Sequence, residues 1–264
     1  MLDLIERLQR ARVFDLTQPM HAGIPHFPTH PPFSFTLTKL HGESVLANGG
    51  TSASDAISLG THNGTHIDAL GHFSCGGYFY GGTPVEGNQC YTGGVSVNDA
   101  DAIAPIFRRG VLLDFPALEG VDELDASYEV TPSRIEAACQ RQDVAIGQGD
   151  VVLLRTGWSR RWPEPKQYLN GLRLPGPKAS GASWLSERGV FAVGSDTLAF
   201  ELMPSPVMEV HVHLLVERGI HILENLALET LAAARVDDFL FVAAPLRLRG
   251  ATGSPLRALA LVAE

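Results

Sequence analysis

The sequence has little cysteine, no long apolar segment and no excess of basic residues, and each shortage excludes a class of protein. The three cysteines, Cys75, Cys90 and Cys139, are odd in number and irregularly spaced, which argues against a disulfide framework or a zinc knuckle. No run of about 18 apolar residues occurs, so we expect neither a transmembrane helix nor a membrane partner. The formal net charge is −9, whereas a nucleic-acid-binding protein needs a basic surface. The first residues, MLDLIER, contain acids rather than the apolar core of a signal peptide, so we expect a cytoplasmic protein.

Motifs of several enzyme classes are absent as well. No G-x-S-x-G elbow occurs, which argues against a serine hydrolase of that type. The glycine-rich residues 76–94 contain neither G-x-G-x-x-G nor Gly-Lys-Ser/Thr, so a phosphate-binding loop is rejected. A cysteine hydrolase stays open as an alternative, because Cys75 follows His72 closely.

Apolar strand-like runs alternate with helix-like segments along the chain, without a repeat or a low-complexity linker. This alternation favours one α/β domain over residues 1–264. We predict helices at 2–11, 99–109, 183–188 and 207–218 and one that opens at Thr131-Pro132, and strands at 13–16, 35–40, 111–115, 150–155, 190–193 and 220–223. The alternating pattern of 35–40 predicts a half-buried strand.

The chemistry concentrates in residues 59–72, LGTHNGTHIDALGH, which hold three of the ten histidines. Ile67 indicates a strand, and alternate strand residues face the same side, so His66 and Asp68 project together about 6–7 Å apart at the backbone. A turn at Asn63-Gly64 returns His62 to the same place, whereas an extended chain would carry it about 13 Å away. The spacing therefore predicts that His62, His66 and Asp68 converge on one ion.

Two imidazoles and a carboxylate suit zinc or manganese and leave open positions, as catalytic metal sites do. Such an ion polarises a carbonyl group and lowers the pKa of water to about 7. His72, four residues beyond Asp68, is then the candidate general acid/base. The competing interpretation, hydrogen-bonded core histidines, explains this concentration less well.

Other residues have two interpretations each. The proline-rich residues 18–34, which carry His21, His26 and His30, form either a plain surface loop or a wall in which Phe27 and Phe33 contact a substrate. Trp158, at a strand end, is either part of that wall or, as is commoner for tryptophan, core. Asp196 either lies in a ligand crevice or caps a turn. His211, His213, His221 and Glu224 form a second group of possible ligands, although the residues alone favour exposed helix histidines and a strand-end acid.

The pattern His62-x-Gly64-Thr65-His66-x-Asp68-x-x-x-His72 resembles the motif of the metal-dependent cyclase family, which includes kynurenine formamidases and isatin hydrolases. Matches in the family's order extend the resemblance over nearly the whole chain: Asp15-Leu16-Thr17, Phe27-Pro28, residues 149–158, residues 194–197, Glu224-Asn225-Leu226 and Gly253-Ser254-Pro255. Kynurenine formamidases usually have proline at the position of Leu70, so Leu70-Gly71-His72 is more similar to the isatin hydrolases.

The resemblance implies a mixed sheet with packed helices, of the swivelling β/β/α type, assembled as a homodimer or homotetramer. It implies a hydrolase of an aryl formamide or cyclic amide, with a small aromatic substrate. It also implies a second metal held by Glu224 and a histidine, either His211 or His213, so the count is one or two ions. Lactone hydrolysis, and cyclisation or dehydration at the same site, stay open, as does a metal-binding module without activity.

Overall fold

The order of strands and helices is known for residues 2–263, the part of the chain that the computed structural model describes. Met1 and Glu264, which end the predicted 1–264 domain, lie outside it, as do the side chains of Leu2 and Leu4. The strands are β1 (Arg12–Asp15), β2 (Ser34–Lys39), β3 (Ser54–Ser58), β4 (His66–Asp68), β5 (Gln89–Cys90), β6 (Gly94–Val95), β7 (Ile106–Asp114), β8 (Val151–Arg155), β9 (Ala192–Ser195), β10 (His221–Glu224), β11 (Asp238–Ala243), β12 (Gly253–Pro255) and β13 (Ala258–Val262).

The helices are α1 (Leu2–Arg10), α2 (Phe115–Glu119), α3 (Pro132–Gln142), α4 (Pro165–Leu169), α5 (Ala179–Ser186), α6 (Glu209–His211) and α7 (Glu229–Ala233), with a π-helix over Val212–Arg218. Short 3₁₀ helices cover Leu70–His72, Tyr80–Gly82, Ala100–Ala102, Trp158–Arg161 and Asn170–Leu172. Among residues 2–263, every helix is too short or too polar to cross a lipid bilayer.

Nine strands form one mixed sheet in the order β1-β13-β11-β7-β8-β9-β10-β4-β12. The four strands β7 to β10 run parallel, and the other pairings are antiparallel. Alternate residues of the parallel strands enter separate buried clusters: Leu112 and Leu153 join one, whereas Val111 and Val152 join the other, which packs against α3 and α5. Continuous apolar strands are typical of a sheet covered on both faces. The α/β prediction is confirmed, with helices packed on a large curled mixed sheet.

Local sequence signals explain several element ends. Thr131 accepts a hydrogen bond from the Arg134 N–H and Pro132 opens α3, as predicted. Gly219, with φ of +66°, ends the π-helix as predicted, because glycine adopts left-handed φ without a Cβ clash. The predicted helix over 207–218 divides into α6 and this π-helix, and the predicted helix 183–188 begins earlier, as α5.

Two predictions about local structure are wrong. Residues 99–109 form only a 3₁₀ turn at Ala100–Ala102 before β7, because Pro105 lacks the N–H that a continuing helix requires. The strand at 35–40 exists as β2, but it is exposed rather than half buried. It pairs with β3 in a separate two-stranded ribbon, so neither of its faces packs on the main sheet.

Candidate metal centre

The histidine motif is folded by a turn followed by the short strand β4. Gly64 has φ of +62°, which a residue with a side chain adopts only under strain, and it turns the chain between His62 and His66. Strand β4 lies between β10 and β12, and its register places Glu224 of β10 opposite His66. A Cβ on Gly253 would lie 2.6 Å from the His62 ring, so this glycine makes room for the imidazole. Residues distant in sequence thereby meet at one point of the sheet.

We call His66, Asp68 and Glu224 the inner group, because all three are buried. His66 Nδ1 lies 2.9 Å from the Gly64 carbonyl oxygen, which only accepts hydrogen bonds, so Nδ1 carries the proton. The lone pair of Nε2 then faces Asp68 Oδ1 and Glu224 Oε2, each 3.5 Å away. Neither His66 Nε2 nor Asp68 Oδ2 has a hydrogen-bond partner among the described residues. A cation between these atoms, or a proton on Nε2, would satisfy them.

His211 adds a second imidazole to the inner group. Its Nδ1 donates to Glu201 Oε1 at 2.5 Å, and its Nε2 lies 3.2 Å from Glu224 Oε1 and 3.9 Å from Asp68 Oδ2. An imidazole held by a carboxylate on one nitrogen and directed at a site with the other is the usual arrangement of metal-binding histidines. The donor set fits a divalent ion, and the orphaned His66 Nε2 and Asp68 Oδ2 are the observation that shows it.

We call His62, Asp68 and His72 the outer group, which shares Asp68 with the inner one. His62 Nδ1 lies 2.7 Å from Asp68 Oδ1, and its Nε2 lies 3.0 Å from Thr252 Oγ1. The His72 ring lies over the His62 ring with centroids 4.0 Å apart. His72 is only half buried, so the outer group extends from the buried carboxylate to a surface that small molecules reach.

Charges within the cluster shift the pKa values of its members in opposite directions. Burial lowers the pKa of His66 and of His211, but their carboxylate partners outweigh burial and raise both to about 10. Burial, with His62 and His211 nearby, lowers the pKa of His72 to about 3 although Asp68 opposes this shift. The carboxylates therefore stabilise positive charge at the inner group, whether it comes from protons or from a metal ion, while His72 stays neutral.

A cavity of about 270 Å³ opens beside both groups. Its polar wall contains His62, His72, His211 and Glu224, and its apolar wall contains Phe27, Phe73, Leu198, Ala199 and Met208. Of the predicted substrate-binding residues, Phe27 lines this cavity, whereas Phe33 and Trp158 do not. Both belong to the buried cluster that also contains the wall residues Leu198 and Ala199, and Trp158 is fully buried with Nε1–H donating to the Tyr168 carbonyl oxygen. The core interpretation therefore holds for Trp158, because its polar atom is satisfied inside the protein.

The remaining candidates lie elsewhere. His213 bonds Ser186 and Glu217 away from the cluster, so His211 is the histidine that the fold brings to Glu224. His221 faces the Asp68 backbone carbonyl and joins neither group. Cys75 is exposed and joins neither group. The Asp196 carboxylate accepts hydrogen bonds from Thr156 and the Gly157 N–H instead of facing the cavity.

Three residues that hold the candidate ligands or the motif turn in position were not predicted as site residues from the sequence. Glu201 fixes His211, and its position as a lone acid within the apolar run LAFELM is a signal of a buried, paired charge. Asn225, at φ of +56°, donates to the Gly64 carbonyl oxygen and holds the motif turn against β10. Thr252 contacts His62 from the loop before β12, and no local pattern marks it.

A family model described as a putative cyclase matches residues 14–202 of the chain. The chain belongs to this family. A kynurenine formamidase from Bacillus cereus is 30% identical over 247 residues, which cover 92% of this chain and 94% of the relative. A solved structure described as a novel cyclase has a TM-score of 0.88 at 26% identity, covering 98% of this chain and 90% of that one. Isatin hydrolase A from Ralstonia solanacearum has a TM-score of 0.76 at 28% identity, covering 99% and 96%. The resemblance that the motifs indicated is confirmed.

Proposed function

We propose that the protein is a metal-dependent hydrolase that cleaves the amide C–N bond of an aryl formamide or a cyclic amide. The predicted reaction class is confirmed by its family relatives, a kynurenine formamidase and an isatin hydrolase. The observation that carries the proposal is that His66 Nε2 and Asp68 Oδ2 are buried without a hydrogen-bond partner, while oxygens of Asp68 and Glu224 lie 3.5 Å from that nitrogen.

His62, His66, Asp68, His211 and Glu224 are the proposed ligands of one or two zinc or manganese ions. Imidazole and carboxylate suit both metals. A divalent ion in this position supplies Lewis acidity, which polarises the scissile carbonyl and makes water more acidic. Support for two positions comes from the way Asp68 presents one oxygen to His62 and His66 and the other to His211.

His72 is the proposed general acid/base. Its ring lies on the cavity wall, and its lowered pKa keeps the imidazole neutral, so that it carries one ring N–H and one free nitrogen. It would take a proton from the attacking water and deliver it to the leaving nitrogen. Glu201 would keep His211 oriented, and Phe27 and Phe73 would hold the aryl group and exclude water.

The assembly and location are proposals of the same kind. A homodimer or homotetramer is supported by the β2–β3 ribbon, where Phe35, Leu37 and Ile57 are all at least 48% exposed. Exposed apolar surface of this extent is typical of protein–protein contacts. The three free cysteines are consistent with a cytoplasmic location. Light scattering of the purified protein measures the assembly directly.

The deciding experiment combines metal analysis with a substrate panel of formylkynurenine, isatin and simple lactones. We expect one or two zinc or manganese ions per chain, and amide hydrolysis that chelation abolishes and metal restores. A protein that takes up no first-row divalent metal contradicts the proposal at its base. Hydrolysis of the lactones alone contradicts the amide assignment while leaving the metal site intact.

A further inference from the structure

The proline-rich residues 18–34 bring one more polar side chain, His30, to the cavity wall. The centroid of its ring lies 5.1 Å from that of His62 and 6.3 Å from that of His72. The centroid of the Phe27 ring lies 5.5 Å from that of His30. His30 is therefore adjacent both to the aromatic surface of the cavity and to the proposed catalytic groups.

The hydrogen bonding of His30 is incomplete in a specific way. Nδ1 is shut off from solvent and has no partner among the described residues, so Nε2 is the nitrogen left to face the cavity that the ring lines. A buried N–H without an acceptor is rarer, and therefore costlier, than a buried acceptor without a donor. The favoured tautomer accordingly places the proton on Nε2, directed into the cavity as an unused donor.

The position of His30 is fixed by its neighbours. The His30 N–H donates to the Phe27 carbonyl oxygen at 2.9 Å, and two prolines follow it directly. The segment is pressed against the histidine motif, since a Cβ on Gly60 would lie 3.0 Å from the Pro31 carbonyl oxygen. A donor held this rigidly loses little entropy when it binds a ligand.

We infer that His30 is a specificity-determining residue, whose Nε2–H donates a hydrogen bond to an oxygen that the substrate carries beside its scissile amide. The inference rests on the proposed function, since it assumes that the amide lies at His62 and His72. An aryl ring against Phe27 with its amide at His62 and His72 would bring its ortho substituent close to His30, because His30 is adjacent to that surface and to both histidines. An ortho carbonyl or carboxylate group supplies the acceptor.

The test uses two substrates that differ in one ortho substituent, and the ratio between wild type and variant isolates the contribution of its acceptor. 2′-Formamidoacetophenone carries an ortho carbonyl group, and formanilide has none. Metal-loaded wild type is compared with His30→Phe, which keeps a ring without a donor, and with His30→Gln, which keeps a donor. His21→Phe is the matched control, because His21 is exposed on the same segment outside the cavity.

We expect His30→Phe to lower kcat/KM for 2′-formamidoacetophenone about tenfold, the usual worth of one neutral hydrogen bond, mainly through KM. Turnover of formanilide and the metal content should not change, and His30→Gln should recover part of the loss. Equal losses on both substrates, or loss of metal, would assign His30 a structural or ligand role and overturn the inference. An unchanged substrate ratio would overturn it as well.

The same pair separates this inference from the proposed function. If metal-loaded wild type hydrolyses neither compound nor the panel amides, the hydrolase proposal fails by itself. His30 is then judged by calorimetric binding of both compounds to wild type and to His30→Phe. A preference for the acceptor-bearing compound that His30→Phe removes upholds the inference, and equal affinity ratios refute it.

Discussion

The inner and outer groups share Asp68 but are constructed differently. The two imidazoles next to Glu224 are each held by a hydrogen bond at Nδ1, His66 by the Gly64 carbonyl oxygen and His211 by Glu201. In the outer group, His72 is half buried and is held by ring contacts with His62 and Phe73. Fixed, fully buried donors suit the retention of an ion, whereas a less restrained ring at a cavity suits proton transfer. The difference in burial thus distinguishes residues suited to ion binding from the one suited to proton transfer, a distinction that the spacing of the motif alone does not make.

The largest effect should come from the residue that both groups share. Asp68→Asn removes the charge that faces His62, His66 and His211, so we expect loss of bound metal and of measurable turnover. Metal analysis and the amide assay measure both. Asp55→Asn, on the exposed strand β3, is the matched control and should behave as wild type. A variant that keeps full metal content would show that Asp68 is not a ligand.

The next largest effect should separate the groups. We expect His72→Ala to keep its metal and to lose about 10²–10⁴-fold in turnover, the usual contribution of a positioned general acid/base. His66→Ala should instead lose both metal and activity, because a buried lone pair between two carboxylates disappears. His41→Ala, at an exposed histidine, is the control. Should His72→Ala also empty the site, His72 is a ligand and the proton carrier is another group.

A smaller effect should follow from the residue behind His211. Glu201→Gln removes the charge that orients and polarises His211, and losses of this kind amount to about 10–100-fold in metal affinity or activity. Glu217→Gln is a matched control, because Glu217 bonds His213 in the same way outside the cavity. Metal titration of both variants measures the difference. Equal affinities would mean that the Glu201 contact is structural only.

The smallest effect on turnover is expected for Asp196, a buried carboxylate outside both groups. Its effect should appear in the stability of the protein instead. Burial raises its pKa to about 6 from an ordinary value of 3.8, against the hydrogen bonds from Thr156. A raised carboxyl pKa stabilises the native state at low pH, and that contribution is lost as the pH rises through about 6. In urea unfolding of chelated protein, the stability of the wild type should fall by about 3 kcal/mol relative to that of Asp196→Asn as the pH rises from about 4 to about 6. Parallel curves for the two proteins would contradict the shift.

The parts of the site that could be predicted lie close together in the sequence. His62, His66, Asp68 and His72 fall within one turn, the strand β4 and the 3₁₀ helix that follows it, so their spacing defines their geometry. The choice between His211 and His213 could not be made, because it depends on where α6 gives way to the π-helix and on which face meets β10. Glu201 was missed because it lies in an irregular segment without periodicity.

Likewise, the local sequence pattern predicts where a strand forms better than it predicts whether that strand is buried. The period-two pattern of 35–40 correctly predicts a strand, but its burial depends on a tertiary partner that the ribbon does not have. The helix prediction for 99–109 gave too little weight to Pro105. Strand β8 and the second half of β7 were predicted well, because a buried parallel strand is apolar at nearly every position, whereas residues 106–109 of β7 fall within the predicted helix.

The pairing of His66 with Glu224 across β4 and β10 has a consequence for biogenesis. During translation the four residues of the motif leave the ribosome together, but Glu224 follows only after most of the sheet has been synthesised. A nascent chain that ends before β10 therefore holds only part of the proposed chelating set and would gain little from an ion. Because the binding energy of a metal adds to folding stability, a bound ion would stabilise the finished chain selectively and leave truncated products unprotected.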